Sequence, residues 1–130
     1  MESVPEPMMK IERGWFYLAD LRPHRGTEPG KMRPVLALQS DLLNQTGHPS
    51  TIVAPLTSKT VNDAEPLRGR VGAGAGLREP SDVMIDQVRA IDNRRLCHPD
   101  SDEPVKRIAP ASADLMHAVE ACLKLVLDLS

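Results

Sequence analysis

The sequence IERGWFYLAD, residues 11–20, alternates its side chains between two faces, as a β-strand does. Trp15, Tyr17 and Ala19 fall on one face, and Phe16 and Leu18 fall on the other. Aromatic residues are enriched in strands, so this stretch predicts the first strand of a sheet.

Further apolar runs follow at short intervals along the chain. Residues 35–38 and 51–57 are typical of buried strands, 67–71 of a short strand, and 81–85 and 87–91 are apolar or alternating. Pro55 has no N–H to donate, so we expect it at a sheet edge, a bulge or a strand end. Residues 22–31, 59–66, 72–76 and 98–106 are rich in Pro, Gly or charge and are predicted to be loops.

The end of the chain predicts a helix. Ser112 is a favourable N-cap, and Asp114 would lie in the first turn. One apolar stripe at helical spacing follows: Leu115, Val119, Cys122, Leu123 and Val126. Residues 124–130 are expected to pack on the core as part of this helix. Several short strands and a closing helix predict a mainly β fold with α, a small antiparallel sheet or barrel carrying a C-terminal amphipathic helix.

Length and composition limit the class of protein. The 130 residues suffice for one domain, predicted here as residues 11–130 behind a flexible tail of residues 1–10. No apolar stretch approaches the ~20 residues that cross a bilayer, and the N-terminus is acidic and interrupted by proline. We therefore expect a cytoplasmic protein that does not enter a membrane, with Cys97 and Cys122 reduced.

The net charge of −2 excludes a globally basic nucleic-acid binder but not a local basic groove. Most of the 16 cationic residues are arginines, which suit bidentate contacts to phosphate or carboxylate. The single Trp, Phe and Tyr are adjacent, which argues against a row of aromatic platforms for stacking bases.

Common catalytic motifs are missing from the sequence. The run GAGAG at residues 72–76 is followed by Pro80 and lacks the strand and helix of a nucleotide-binding loop. The histidines and cysteines lack the spacing of a zinc site, and no Ser-His-Asp pattern stands out. No metal or cofactor is predicted.

Three segments remain as candidate sites: residues 13–34, with several arginines in a loop; residues 54–58, where a strand ends in two hydroxyls; and residues 82–92. Each also has an ordinary structural explanation, such as solvated loop charges, a capped turn or a surface ion pair.

Read together, these segments resemble the MazF/PemK family of bacterial toxins. The first carries Arg13-Gly14, Tyr17-Leu18-Ala19-Asp20-Leu21, Gly26-Thr27-Glu28 and Arg33-Pro34-Val35-Leu36; the second is Thr51–Ser58; the third is Asp82–Asp92 with Arg95-Leu96. The resemblance spans roughly residues 11–129 in the family's order.

This resemblance implies an SH3-like barrel that forms a homodimer whose shared groove holds single-stranded RNA. It implies a metal-independent endoribonuclease that leaves a 2′,3′-cyclic phosphate and a 5′-hydroxyl and is neutralised by a cognate MazE-like antitoxin. The gyrase-poisoning toxins of the CcdB type share the fold and provide the alternative function. A third interpretation is a toxin that has lost its activity.

The resemblance also assigns residues, carried over position by position. The catalytic candidates are Arg33, Thr57, Asp86 and Glu28. The RNA-binding candidates are Thr27, Arg25, Lys31, Ser58, Gln87 and Arg89. The general base is either Asp86 or Glu28, and the sequence does not choose between them. Arg33 is expected to stabilise charge rather than to donate a proton, because an arginine pKa above ~12 keeps the guanidinium protonated.

Overall fold

The computed structural model describes residues 11–22, 26, 32–72, 74–96 and 107–130. The predicted tail at residues 1–10 and the whole of the predicted linker at residues 98–106 lie outside these ranges. The described strands are β1 (Trp15–Asp20), β2 (Met32–Ala37), β3 (Ser50–Thr57), β4 (Arg68–Val71), β5 (Ser81–Met84), β6 (Arg89–Asp92) and β7 (Arg107–Pro110). The helices are α1 (Asp41–Asn44) and α2 (Ala113–Leu127), and 3-10 turns span Ile85–Gln87 and Asn93–Arg95.

The described strands form one antiparallel sheet in the order β4-β5-β3-β2-β1-β7, with β6 also paired to β3. β3 pairs with β2 along one side and with β6 and then β5 along the other. The sheet curls into a half-barrel, with α2 packed against it. The predicted class, a mainly β fold of short antiparallel strands with a C-terminal helix, is confirmed.

The sheet is buried on both faces. One core lies between the sheet and α2 and includes Phe16, Leu36, Leu56 and Val119. The second core lies on the opposite face and includes Tyr17, Val35, Val53 and Leu96. The alternation predicted for β1 is therefore confirmed, because Phe16 enters the first core, while Tyr17 and Ala19 enter the second.

The predicted C-terminal helix is present, and the Ser112 hydroxyl accepts from the Leu115 N–H at 3.0 Å. Its buried line is Met116, Val119 and Cys122, whereas Leu115 is only half-buried. The expectation that residues 124–130 pack on the core holds for Val126 but is wrong for Leu125, Leu127 and Leu129, which are exposed. The helix ends at Leu127, and every residue after Val126 is exposed. None of the described helices has the length and apolar character to cross a membrane.

Pro55 lies inside β3 rather than at a sheet edge or strand end, so the expectation for it is corrected. Backbone groups in an antiparallel strand alternate between its two neighbours. Ile52 directs its backbone groups toward β2, because its carbonyl accepts from Leu38 N–H. Pro55 lies three residues further on, so its nitrogen points to the opposite side of β3. There β6 pairs only as far as Val53 and β5 begins at Leu56. The missing N–H therefore falls in the gap between two partner strands.

Two elements escaped the sequence patterns because both are short. β7 pairs with β1 at the sheet edge, and its apolar residues are only Ile108 and Ala109 between Arg107 and Pro110. α1 is a single turn capped by the Ser40 hydroxyl. Periodicity cannot be recognised over so few residues.

Gly76 brings the segment after β4 against β7. Its φ is +89°, and a Cβ built there would lie 2.5 Å from the Cβ of Ala109. We expect Gly76→Ala to lower the free energy of unfolding by about 1–3 kcal/mol or more, from backbone strain plus this overlap. Gly72→Ala is the matched control, because its Cβ would meet nothing within 4 Å. Urea midpoints of the two variants provide the measurement, and equal midpoints would refute this packing.

Asp20, at the end of β1, accepts from the backbone N–H and the guanidinium of Arg22. These hydrogen bonds lower the pKa of the Asp20 carboxyl from 3.8 to about 2. Because the folded pKa is below the unfolded one, the stabilisation is complete above pH 3.8 and disappears as the pH falls through about 2. We expect the urea midpoint to fall across this window and to fall less steeply in Asp20→Asn. An identical slope in both proteins would contradict the assignment.

Candidate functional site

Arg33 is held at the end of the β2–β3 ladder by a backbone group that Pro34 leaves unpaired. The register Leu36↔Ala54 and Val35↔Pro55 places Pro34 opposite Leu56. Pro34 has no N–H to donate there. Instead, the Arg33 guanidinium donates to the Leu56 carbonyl, with an Nη1–O distance of 3.0 Å. The Arg-Pro pair thus directs the guanidinium toward the end of β3, next to Thr57.

A groove of about 640 Å³ opens at this point. Its lining includes Arg33, Thr57 and Ser58, together with apolar side chains from β1, β2 and β7, among them Leu18 and Ile108. Burial lowers the pKa of the Arg33 guanidinium from its ordinary value, yet an arginine remains charged at neutral pH. The groove therefore combines a half-buried cation with hydroxyls over an apolar floor.

The Thr57 hydroxyl can donate a hydrogen bond into the groove. Its hydroxyl oxygen accepts from the Lys59 N–H at 3.1 Å. A hydroxyl has one proton to donate besides its acceptor sites, and that proton stays available to a ligand. Thr57 and the Arg33 guanidinium can therefore donate to the same anionic group.

The loop that follows Thr57 is tied to Asp82, the residue opposite Thr57 on β5. The Asp82 carboxylate accepts from Val61 N–H at 2.8 Å, from Arg68 at 3.2 Å and from Arg70 at 2.6 Å. Burial raises the pKa of this carboxyl, but the bonds from Val61, Arg70 and Arg68 outweigh burial and lower it below its ordinary value. Asp82 is therefore a carboxylate at neutral pH although its side chain is only 1% exposed.

A second group of candidate residues follows β5 along the chain: Asp86, Gln87 and Arg89. Asp86 and Gln87 belong to the 3-10 turn that follows β5, and Arg89 begins β6. Asp86 is exposed, and Gln87 and Arg89 are half-buried. None of the three lines the groove around Arg33. Asp86 lies beyond the end of β5 that is remote from Thr57, since Thr57 pairs near the strand's start.

The remaining predicted residues, Arg25, Thr27, Glu28 and Lys31, lie outside the described part of the chain. Their assignments stay predictions.

The structure adds two cations that the sequence interpretation passed over, Lys59 and Arg78, both lining the groove. Lys59 directly follows Thr57 and Ser58 in the sequence, so its position beside two candidate residues could have identified it. Arg78 had no such signal, because tertiary packing, including the close approach of Gly76 to Ala109 of β7, brings the chain between β4 and β5 to the groove.

Trp15 does not line the groove. Its ring packs under the guanidinium of Arg107, 3.7 Å from the ring centre, and Arg107 also pairs with Glu12. Among the described residues, no group of three His, Cys, Asp or Glu side chains is placed to hold a metal ion.

Comparison with known proteins agrees with this geometry. Residues 12–127 match the family of PemK-like, MazF-like toxins of type II toxin–antitoxin systems. The chain is 36% identical over 122 residues to endoribonuclease MazF6 of Mycobacterium tuberculosis, covering 93% of this chain and 100% of that protein. It is 32% identical over 122 residues to endoribonuclease EndoA of Bacillus subtilis, covering 93% and 97%.

A similar fold occurs in the crystal structure of MazE-MazF from Deinococcus radiodurans. The TM-score is 0.70 at 23% identity, with 93% of this chain and 99% of that chain covered. The family match extends over nearly the whole chain and includes the strands that bring Arg33 and Thr57 to one groove. The chain therefore belongs to the PemK-like, MazF-like family of toxins of type II toxin–antitoxin systems.

Proposed function

We propose that this protein is an endoribonuclease that cleaves single-stranded RNA through the 2′-hydroxyl of the substrate. The observation that carries the proposal is the convergence of Arg33 and Thr57 on one groove, with Arg33 oriented by the Leu56 carbonyl. Relatives at 36% and 32% identity named endoribonucleases support the same activity.

The reaction places defined demands on the groove. The 2′-oxygen forms a bond to phosphorus and gives up its proton, while the bond from phosphorus to the 5′-oxygen breaks and that oxygen gains a proton. The products are a 2′,3′-cyclic phosphate and a 5′-hydroxyl. Negative charge builds up on the phosphoryl oxygens between these events. The Arg33 guanidinium and the Thr57 hydroxyl are the donors proposed to stabilise it.

The proton acceptor is proposed to be Glu28 or Asp86. A carboxylate with a pKa near ~4 is a weak base at neutral pH, so the one that acts needs an environment that raises its pKa. Asp86 is exposed and does not line the groove of its own chain. Glu28 belongs to the segment that leads into β2, five positions before Arg33 in the sequence.

The proposed partners follow from the family. A MazE-like antitoxin is proposed to occupy the groove and block RNA; the MazF of D. radiodurans, which has a similar fold, forms a complex with MazE. We also propose that the protein forms a homodimer and acts in the cytoplasm, where RNA is available. The gyrase-binding alternative has no support in the relatives named above.

Replacing Arg33 by Ala should abolish cleavage, because it removes the guanidinium that the Leu56 carbonyl orients in the groove beside Thr57. Arg94→Ala is the matched control, since Arg94 is an exposed arginine paired with Asp92. The measurement is mapping of 5′-hydroxyl ends in single-stranded RNA incubated with EDTA, together with a thermal melt of each variant. A folded Arg33→Ala protein that still cuts RNA would contradict the proposed chemistry.

Lys59 and Arg78 should contribute phosphate contacts. Replacing either by Gln should reduce the slope of log affinity against log salt by about 0.7, the value for one phosphate on a single strand. The ligand is a single-stranded oligonucleotide whose 2′-hydroxyls are methylated, which prevents cleavage during the titration. Arg94→Gln should leave the slope unchanged, and an unchanged slope in both groove variants would exclude them from the RNA path.

A further inference from the structure

We infer that Asp82 is a positioning residue, whose carboxylate fixes the loop of residues 58–62 and thereby the Thr57 hydroxyl at the groove. The inference rests on the proposed ribonuclease function and deepens it. Asp82 lines a separate cavity of about 380 Å³ on the other side of this loop and does not line the groove. It therefore acts through other residues rather than on the RNA.

Apolar packing does not hold this loop. Each residue from Ser58 to Asp63 is exposed, and the side chain of Val61 is itself half exposed to solvent. A surface loop of this kind takes its position from hydrogen bonds. Apart from the bond between Lys59 N–H and the Thr57 hydroxyl, its described hydrogen bonds are made with Asp82 and with the two arginines of β4 that bind it.

The contacts reach each end of the loop. The Asp82 carboxylate accepts from Val61 N–H at 2.8 Å. Arg70, held by Asp82, donates to the Val61 carbonyl at 3.3 Å and to the Asn62 side-chain oxygen at 3.0 Å. Arg68, also held by Asp82, donates to the Lys59 carbonyl at 3.3 Å.

The last step joins this network to the groove. Lys59, whose carbonyl accepts from Arg68, donates its own N–H to the Thr57 hydroxyl at 3.1 Å. A continuous series of hydrogen bonds therefore runs from the Asp82 carboxylate through Arg68 and Lys59 to the Thr57 oxygen. The same loop carries Ser58 and Lys59 into the groove.

The charges explain why a carboxylate is required. Asp82 is 1% exposed, and Arg68 and Arg70 are 26% and 43% exposed at their side chains. Without the carboxylate, two neighbouring guanidinium groups would repel each other and turn to solvent, releasing Lys59 and Val61. An amide at the same position offers only one acceptor oxygen and turns N–H groups toward donors.

Asp82→Asn tests this role, with amide hydrogen exchange and single-turnover cleavage of single-stranded RNA measured on the same protein. We expect faster exchange at Lys59 and Val61 with the rest of β3 still protected. The cleavage rate constant at saturating RNA should fall by about tenfold or more, because a displaced donor no longer meets the phosphoryl oxygen. Asp92→Asn is the matched control, since Asp92 has an exposed arginine partner away from the groove; it should change neither measurement.

A double-mutant cycle separates positioning from a general loss of stability. If Asp82 acts through Thr57, then Asp82→Asn should cost little more in a Thr57→Ala background, whereas independent effects would multiply. Arg70→Gln serves if Asp82→Asn does not fold, because it keeps the Asp82–Arg68 pair and removes the bonds to Val61 and Asn62. It should give a smaller fall in rate, with exchange that is faster at Val61 than in the wild type and changes less at Lys59, because the bond from Arg68 to the Lys59 carbonyl remains.

Three results would overturn the inference. A folded variant with faster exchange in the loop could cleave RNA at the wild-type rate, or the loop of Asp82→Asn could exchange as slowly as in the wild type. The effects of Asp82→Asn and Thr57→Ala on the rate could also multiply. Wild-type protein that does not cut RNA would instead refute the proposed function. The exchange measurement would still decide whether Asp82 fixes the loop.

Discussion

The hydrogen bond from the Arg33 guanidinium to the Leu56 carbonyl is the contact on which the groove depends. It exists because Pro34 removes an N–H from the β2–β3 ladder at the position opposite Leu56. A carbonyl without its ladder donor needs another partner when it is buried. The backbone thus orients a charged side chain beside Thr57, and strand register fixes where the accepting carbonyl lies.

The opposite side of β3 is organised by charge. Asp82 lies opposite Thr57 on β5, and its carboxylate gathers two arginines from β4 and a backbone N–H from the following loop. The end of β3 is therefore held from both of its neighbours: through a guanidinium on the β2 side and through a carboxylate on the β5 side. Hydrogen bonds have the directional requirements that a site for an anion needs, whereas the two apolar cores supply the rigid support behind it.

Sequence patterns predicted the elements whose signal was long enough to repeat. β1, β3 and α2 were found because alternation or helical spacing extends over several residues in each. α1 and β7 were missed because each is too short for a spacing to repeat, and β7 in addition is a strand only through its pairing with β1. The exposure of Leu125 and Leu129 was missed for a related reason, since an apolar stripe shows which face is buried only as far as the sheet beneath it extends.

Apolar periodicity in the sequence by itself determined the fold class, and the resemblance of its motifs to a known family assigned Arg33, Thr57 and Ser58 to one site. Only the tertiary structure decided that Asp86 lies away from that groove, that Lys59 and Arg78 line it, and that Asp82 is the buried anchor of its loop. The physical reason is register: pairing between strands far apart in the chain fixes which side chains meet, and no local pattern contains that information.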